Sequence, residues 1–203
     1  MKETFWYKLK KIVFRFIGDI KWAGIWHPFW FTVNATSFRL KGKQYREAAA
    51  VIKPGDILIR RFEGYVDKWL IPGWFNHGGI YVGDNQVVHA VSDGVIKEDL
   101  IDFMRTDHVV ILRPPSHCAA LAVSKAMKAV GSDYDFAFDF KGTLRFSCTE
   151  LVNVCIGGTI PGKKRFGRFT IVADDIVSYD KLEVVWASKG CKEQWMKLRS
   201  TKD

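Results

Sequence analysis

Apolar positions recur with a helical period at the start of the chain. Phe5, Leu9, Ile12, Val13, Phe16, Ile17 and Ile20 form one stripe, while Lys8, Lys11, Arg15 and Asp19 point elsewhere. The spacing predicts an amphipathic helix over 5–20, followed by an aromatic cluster of Trp22, Trp26, Phe29, Trp30 and Phe31. At Lys53-Pro54-Gly55-Asp56, which is turn chemistry, the pattern changes to short apolar runs separated by turns. Residues 57–61 read as a strand, and 66–70 as a short helix stopped by Pro72-Gly73. Runs at 77–82, 86–91 and 95–97 alternate with Gly83-Asp84-Asn85 and Ser92-Asp93-Gly94, the signature of an antiparallel meander. A further strand at 109–112 closes at Pro114-Pro115. Residues 116–130 form a helix with Ser116 as N-cap and Gly131 just past its end. The stretch 131–146 is irregular and aromatic. A second helix runs over 147–156 to Gly157-Gly158, and the tail holds a helix at 173–179 and a strand at 182–186. The fold class is α+β, with a small antiparallel sheet packed against helices.

Composition narrows the class. A chain of 203 residues can bury a core without disulfides or a structural metal, and 48% hydrophobic with 26% charged residues excludes wholesale disorder. No apolar run reaches the roughly 18–20 residues of a bilayer span; the best, 22–33, is shorter and contains His27 and Pro28. Charge is unevenly spread. Residues 1–53 hold eleven Lys/Arg against three acids, which is +8 of the total +9, so a near-neutral domain (50–203) carries a basic, aromatic extension (1–49). Residues 1–31 suit either packing on the domain or an interfacial helix on an anionic membrane. Nucleic acid is not expected as a partner, because no binding motif accompanies the basic and aromatic residues. The four cysteines show no CxxC, so free thiols in a reducing compartment are the expectation. The N-terminus does not read as a signal peptide. The expected location is cytoplasmic, with peripheral membrane association where residues 1–31 act as the interfacial helix.

Two segments carry chemistry: Asn76-His77-Gly78-Gly79 with His89 downstream, and Phe146-Ser147-Cys148-Thr149-Glu150. Thiol-based hydrolysis needs a thiolate, a base that takes and returns its proton, and a group that fixes the base's tautomer. A cysteine at a helix start gains from unpaired N–H groups, which also suit a developing oxyanion. His77 begins one strand and His89 ends the next, so a hairpin brings them side by side. Each also has an ordinary reading, Cys148 as a small buried hydrophobe and the histidines as structural hydrogen-bonders. A zinc site on His77, His89 and Cys148 is set aside, because neither HExxH nor paired-Cys spacing supports it; no metal and no cofactor are expected.

The segments KPGDILIR, NHGGIYVGDNQVVHAVSDGVIKEDLIDF and GSDYDFAFDF…FSCTELV, in this order over about 50–156, resemble the circularly permuted papain-like amidases of the YaeF/YiiX type. These are relatives of NlpC-type hydrolases and of lecithin:retinol acyltransferase. The resemblance implies a permuted papain-like fold in which the His strand precedes the Cys helix. It implies Cys148 as nucleophile, His77 as base and His89 at the third polar position, where many YiiX-type sequences have Glu; a His there is similar to the acyltransferase relatives. Tyr134 and Ser147 are candidates for oxyanion or substrate contacts, and Glu150 is read as structural. The implied activity is hydrolysis of an amide or ester through a thioester, on a small-molecule, lipid or peptide substrate. Acyl transfer to a lipid, cleavage of peptidoglycan peptides, and a non-catalytic membrane- or partner-binding module are the alternatives. The last is disfavoured because a scaffold has no need of a thiol, a base and an orienting group together.

Overall fold

The computed structural model describes residues 38–63, 72–135, 145–165 and 167–200, with backbone alone at 20–22, 31–33 and 168. The chain divides into two compact units, residues 1–39 and 40–203. In the first, β1 (Ile20–Trp22) and β2 (Phe31–Val33) pair antiparallel, with Ile20 opposite Val33 and Trp22 opposite Phe31. The helix expected over 5–20 lies outside the described residues, as does the one expected over 66–70.

The second unit opens with α1 (Gly42–Val51), which the charge pattern groups with the extension. Here Ala48 is fully buried among Leu58, Tyr81 and Val87. The centre is a six-stranded sheet of β3 (Ile57–Arg61), β4 (His77–Gly83), β5 (Gln86–Val91), β6 (Gly94–Asp99), β7 (His108–Arg113) and β12 (Glu183–Ala187). Its order is β12-β7-β3-β4-β5-β6, and every neighbouring pair is antiparallel. The meander expected from the turn residues is β4-β5-β6. Asp84 and Asn85 both take left-handed conformations (φ 49° and 55°), as a two-residue hairpin turn matching the strand twist requires.

Side-chain alternation along each strand builds two cores. Ile57, Ile59, Ile80, Val88, Val110 and Leu112 face α3 (Ser116–Ala129), α4 (Cys148–Cys155) and α5 (Ala173–Val177). Leu58, Tyr81, Val87, Val109 and Ile111 face α1 and the short α2 (Leu100–Phe103). Burial on both faces explains why the central strands read as near-continuous apolar runs. At the start of α3 the structure corrects the expectation. Pro115 holds the cap position without a side-chain cap and Ser116 is the first helical residue, because the extended Pro-Pro pair runs directly into the helix.

The KPGD turn shows why its glycine is needed. Gly55 has φ +93°, and a Cβ there would lie 2.7 Å from the Ala119 backbone of α3. Next to it the buried Asp56 takes a bidentate pair from Arg113, at 2.8 and 2.7 Å. Before α4, β8 (Asp133–Tyr134) and β9 (Arg145–Phe146) form a short parallel pair that sets Tyr134 opposite Phe146. The tail adds the hairpin β10 (Lys163–Arg165)–β11 (Arg168–Thr170) and α6 (Lys192–Ser200). Among the described residues, no helix is long and apolar enough to cross a membrane.

Candidate active site

The register of the sheet lines up four polar side chains on the face covered by α2. Arg60 pairs with His77, Gly79 with His89, and His89 with Ile96, which sets Glu98 diagonal to His89. Directly opposite and diagonal residues of antiparallel strands share a face and lie within side-chain reach. Phe103 of α2 lies over them. Its ring centroid is 5.2 Å from that of His89 and 5.9 Å from that of His77, and the Arg60 guanidinium stacks 4.1 Å from the same ring.

His77 and His89 meet directly, Nε2 of His77 to Nδ1 of His89 at 2.8 Å. His89 Nε2 lies 3.2 Å from Glu98 Oε2, without hydrogen-bond alignment, and Arg60 Nη1 lies 3.8 Å from the same oxygen. Arg60 Nη1 donates to the Phe103 carbonyl at 2.6 Å. Burial, then the Arg60 cation and then His89, hold His77 well below the ordinary imidazole value. Burial and then Arg60 push His89 down to about 3. Both rings are therefore neutral at pH 7. Burial also pulls Arg60 down to about 10, which leaves it a cation.

Cys148 heads α4. Ser147 is its N-cap, and a capping box closes around it: the Ser147 N–H donates to Glu150 Oε2 at 2.7 Å, and the Glu150 N–H donates to Ser147 Oγ at 3.4 Å. The cap leaves the first amides of the helix aimed at the sulfur. The N–H groups of Gly78, Thr149 and Cys148 itself all face Sγ and favour a thiolate, as does the more distant Arg60. Burial outweighs them and pushes the thiol up, so the helix start alone does not ionise it. Gly78, next to His77, brings strand and helix together: a Cβ there would lie 2.7 Å from Ile59 Cδ1 and 3.5 Å from Val152 Cγ2 of α4.

Of the sequence-derived candidates, His77 and His89 are in contact, and Cys148 sits on the amide beside His77. Tyr134 is close enough that, after burial, the charges of Cys148, Glu150 and Asp135 raise its phenol further, so it stays a protonated donor. Ser147 is fully buried, and both its N–H and its hydroxyl serve the cap. Sequence reasoning missed Arg60, Glu98 and the Gly78 amide. A signal existed for Glu98. The two-residue turn at Ser92-Asp93 mirrors 89 onto 96, so a residue at 98 falls on the face of His89. Arg60 left only the mark of a charge ending an apolar run.

A mixed sheet-and-helix body with a histidine strand followed by a cysteine-headed helix is the architecture of permuted papain-like proteins. The chain belongs to that family: the model described as "Permuted papain-like amidase enzyme, YaeF/YiiX, C92 family" matches residues 51–198. Membership makes it a cysteine-type hydrolase in general class. A solved structure, the metalloprotein YiiX from Escherichia coli O157:H7, matches in fold with TM-score 0.55 at 16% identity, covering 67% of this chain and 97% of that one. Nothing among the curated proteins matches the chain. In this chain His77 and His89 turn their facing nitrogens on each other, and among the described residues no three His, Cys, Asp or Glu side chains converge as a ligand set. The described residues do not fit a metal centre.

Proposed function

We propose that this protein hydrolyses an amide or ester bond through a thioester on Cys148, with His77 as base and His89 as the group that orients it. The observation that carries this is the 2.8 Å contact of His77 Nε2 with His89 Nδ1, one residue from the Gly78 amide on which Cys148 sits. With Nε2 engaged, Nδ1 of His77 is the nitrogen left to take the thiol proton.

Both groups rest neutral, the thiol raised and the imidazole depressed. The proton moves when a carbonyl is in place: Nδ1 takes it as sulfur attacks, and the oxyanion forms against the amides at the head of α4. The imidazolium returns the proton to the leaving amine or alcohol. Water, deprotonated by His77, then attacks the thioester, and collapse releases the acid and restores the thiol.

A test uses p-nitrophenyl esters of graded chain length, with acid quench and mass spectrometry. The expected result is one acyl adduct on Cys148, absent from Cys148→Ala and His77→Gln. An adduct on Cys118 instead, or one on Cys148 that forms as fast without His77, overturns the assignment.

A further inference from the structure

Building on the roles of His77 and His89 proposed for hydrolysis, we propose that Glu98 is a positioning residue that fixes the tautomer of both histidines, with Arg60 holding its carboxylate in place. His89 Nε2 and Glu98 Oε2 are both buried polar atoms without a hydrogen-bond partner, and they lie 3.2 Å from each other. Leaving either unsatisfied is costly in a buried site, and a small rotation of the carboxyl joins them. The side chain of His89 is 1% exposed while that of Glu98 is 30% exposed, so the carboxylate has room to make that rotation and the ring does not.

The chemistry of the partners then sets every proton. Arg60 only donates, so the Glu98 oxygen it approaches at 3.8 Å is held as an acceptor. An acceptor there places the His89 proton on Nε2. His89 Nδ1 is left as an acceptor, which places the His77 proton on Nε2 across the 2.8 Å contact. The lone pair of His77 is thereby fixed on Nδ1, the nitrogen proposed above to take the Cys148 proton. Without Glu98, His89 has no reason to prefer Nε2–H, and the fraction of His77 with a free Nδ1 falls. When His77 becomes a cation during the reaction, the same chain leads its charge toward a carboxylate.

The experiment compares full-length wild type, Glu98→Ala and Glu98→Gln, using ¹⁵N-histidine NMR for tautomers and p-nitrophenyl acetate for kinetics. Gln keeps an acceptor oxygen, which the donor-only Arg60 turns toward His89. Expected is Nε2–H on His89 in wild type and Glu98→Gln, and a mixed tautomer in Glu98→Ala. The kcat of Glu98→Ala should fall about 10-fold or more with KM little changed, and Glu98→Gln should restore most of it. The idea is overturned if wild-type His89 carries its proton on Nδ1, if Glu98→Ala leaves the tautomers unchanged, or if the tautomers change and kcat does not. If Glu98→Ala does not fold, a Glu98→Gln variant whose His89 loses the Nε2–H preference overturns it as well. The tautomers are read without turnover, so a failure of Cys148 to form an acyl adduct sinks the hydrolase reading while NMR still decides the role of Glu98.

Discussion

His77 and His89 touch each other, yet their roles differ in what a substitute can do. In the tautomer proposed above His89 offers Nδ1 as an acceptor across its contact with His77, and a side-chain carbonyl offers the same. In the proposed mechanism His77 carries a proton from sulfur to the leaving group, which no amide does. His89→Gln should therefore keep measurable turnover on a p-nitrophenyl ester. His77→Gln should lose roughly 10²–10⁴-fold in kcat, the range of general acid–base catalysis. Side-by-side kinetics of the two folded variants decide it, and equal inactivity would mean the roles are wrongly assigned. The three residues named for this chemistry were legible from the sequence because each sits beside a recognisable punctuation: HGG, a strand-end His, and Cys at a helix start. Arg60 and Glu98 were not, because their relevance lies in which strands pair and in what register. An arginine in ILIR looks the same whether it faces solvent or a pair of histidines.

The elements that hold these residues depend on local chemistry that can be broken one group at a time. Gly55 is the plainest case. Its φ of +93° and the 2.7 Å approach to the α3 backbone leave no space for a methyl group. Gly55→Ala should cost on the order of 1–3 kcal/mol from the backbone alone, with the steric overlap added. A lowered guanidinium midpoint measures it; an unchanged midpoint would show that the turn and α3 yield without cost. At this scale the sequence was most informative for β4, β5, β6 and α4, whose bounds are marked by Asp84-Asn85, Ser92-Asp93, Ser147 and Gly157. It was silent on α1, β10–β11 and α6. GKQYREAAAV fully buries only Ala48, and its stripe of Tyr45, Ala48 and Ala49, continued by Ile52, is short and half alanine, while KKR and RFT are too polar to announce a strand pair.

For the whole molecule, two neutral histidines, His89 buried and His77 half-buried, make stability depend on pH. Their folded-state pKa values are depressed, His89 to about 3, whereas the unfolded chain protonates them near the ordinary 6.5. Below that value the unfolded state takes up protons that the folded state refuses, so unfolding becomes easier as pH falls. The slope approaches about 1.4 kcal/mol per pH unit for each histidine. It flattens for His89 near its folded value. Burial raises the Asp175 carboxyl, but the Arg165 and other hydrogen bonds together hold it below its ordinary value, so it contributes stability that is lost as pH falls below the ordinary carboxylate range. Denaturation midpoints at pH 7.5, 6, 5 and 4.5 should decline steadily below 6.5, and less so in the His77→Gln/His89→Gln double variant. A midpoint flat from 7 to 5 would contradict the buried neutral state.

The order of the chain has a consequence for how the protein is made. Arg60, His77, His89 and Glu98 stand on four successive strands, β3 to β6, that are neighbours in the sheet, whereas the cysteine-bearing α4 comes some fifty residues after β6. Synthesis from the N-terminus thus delivers the strands that manage protons before the sulfur emerges. A nascent chain stalled or clipped between β7 and α4 holds the histidine strands but lacks Cys148, so the thioester route proposed above is closed to it until α4 is made.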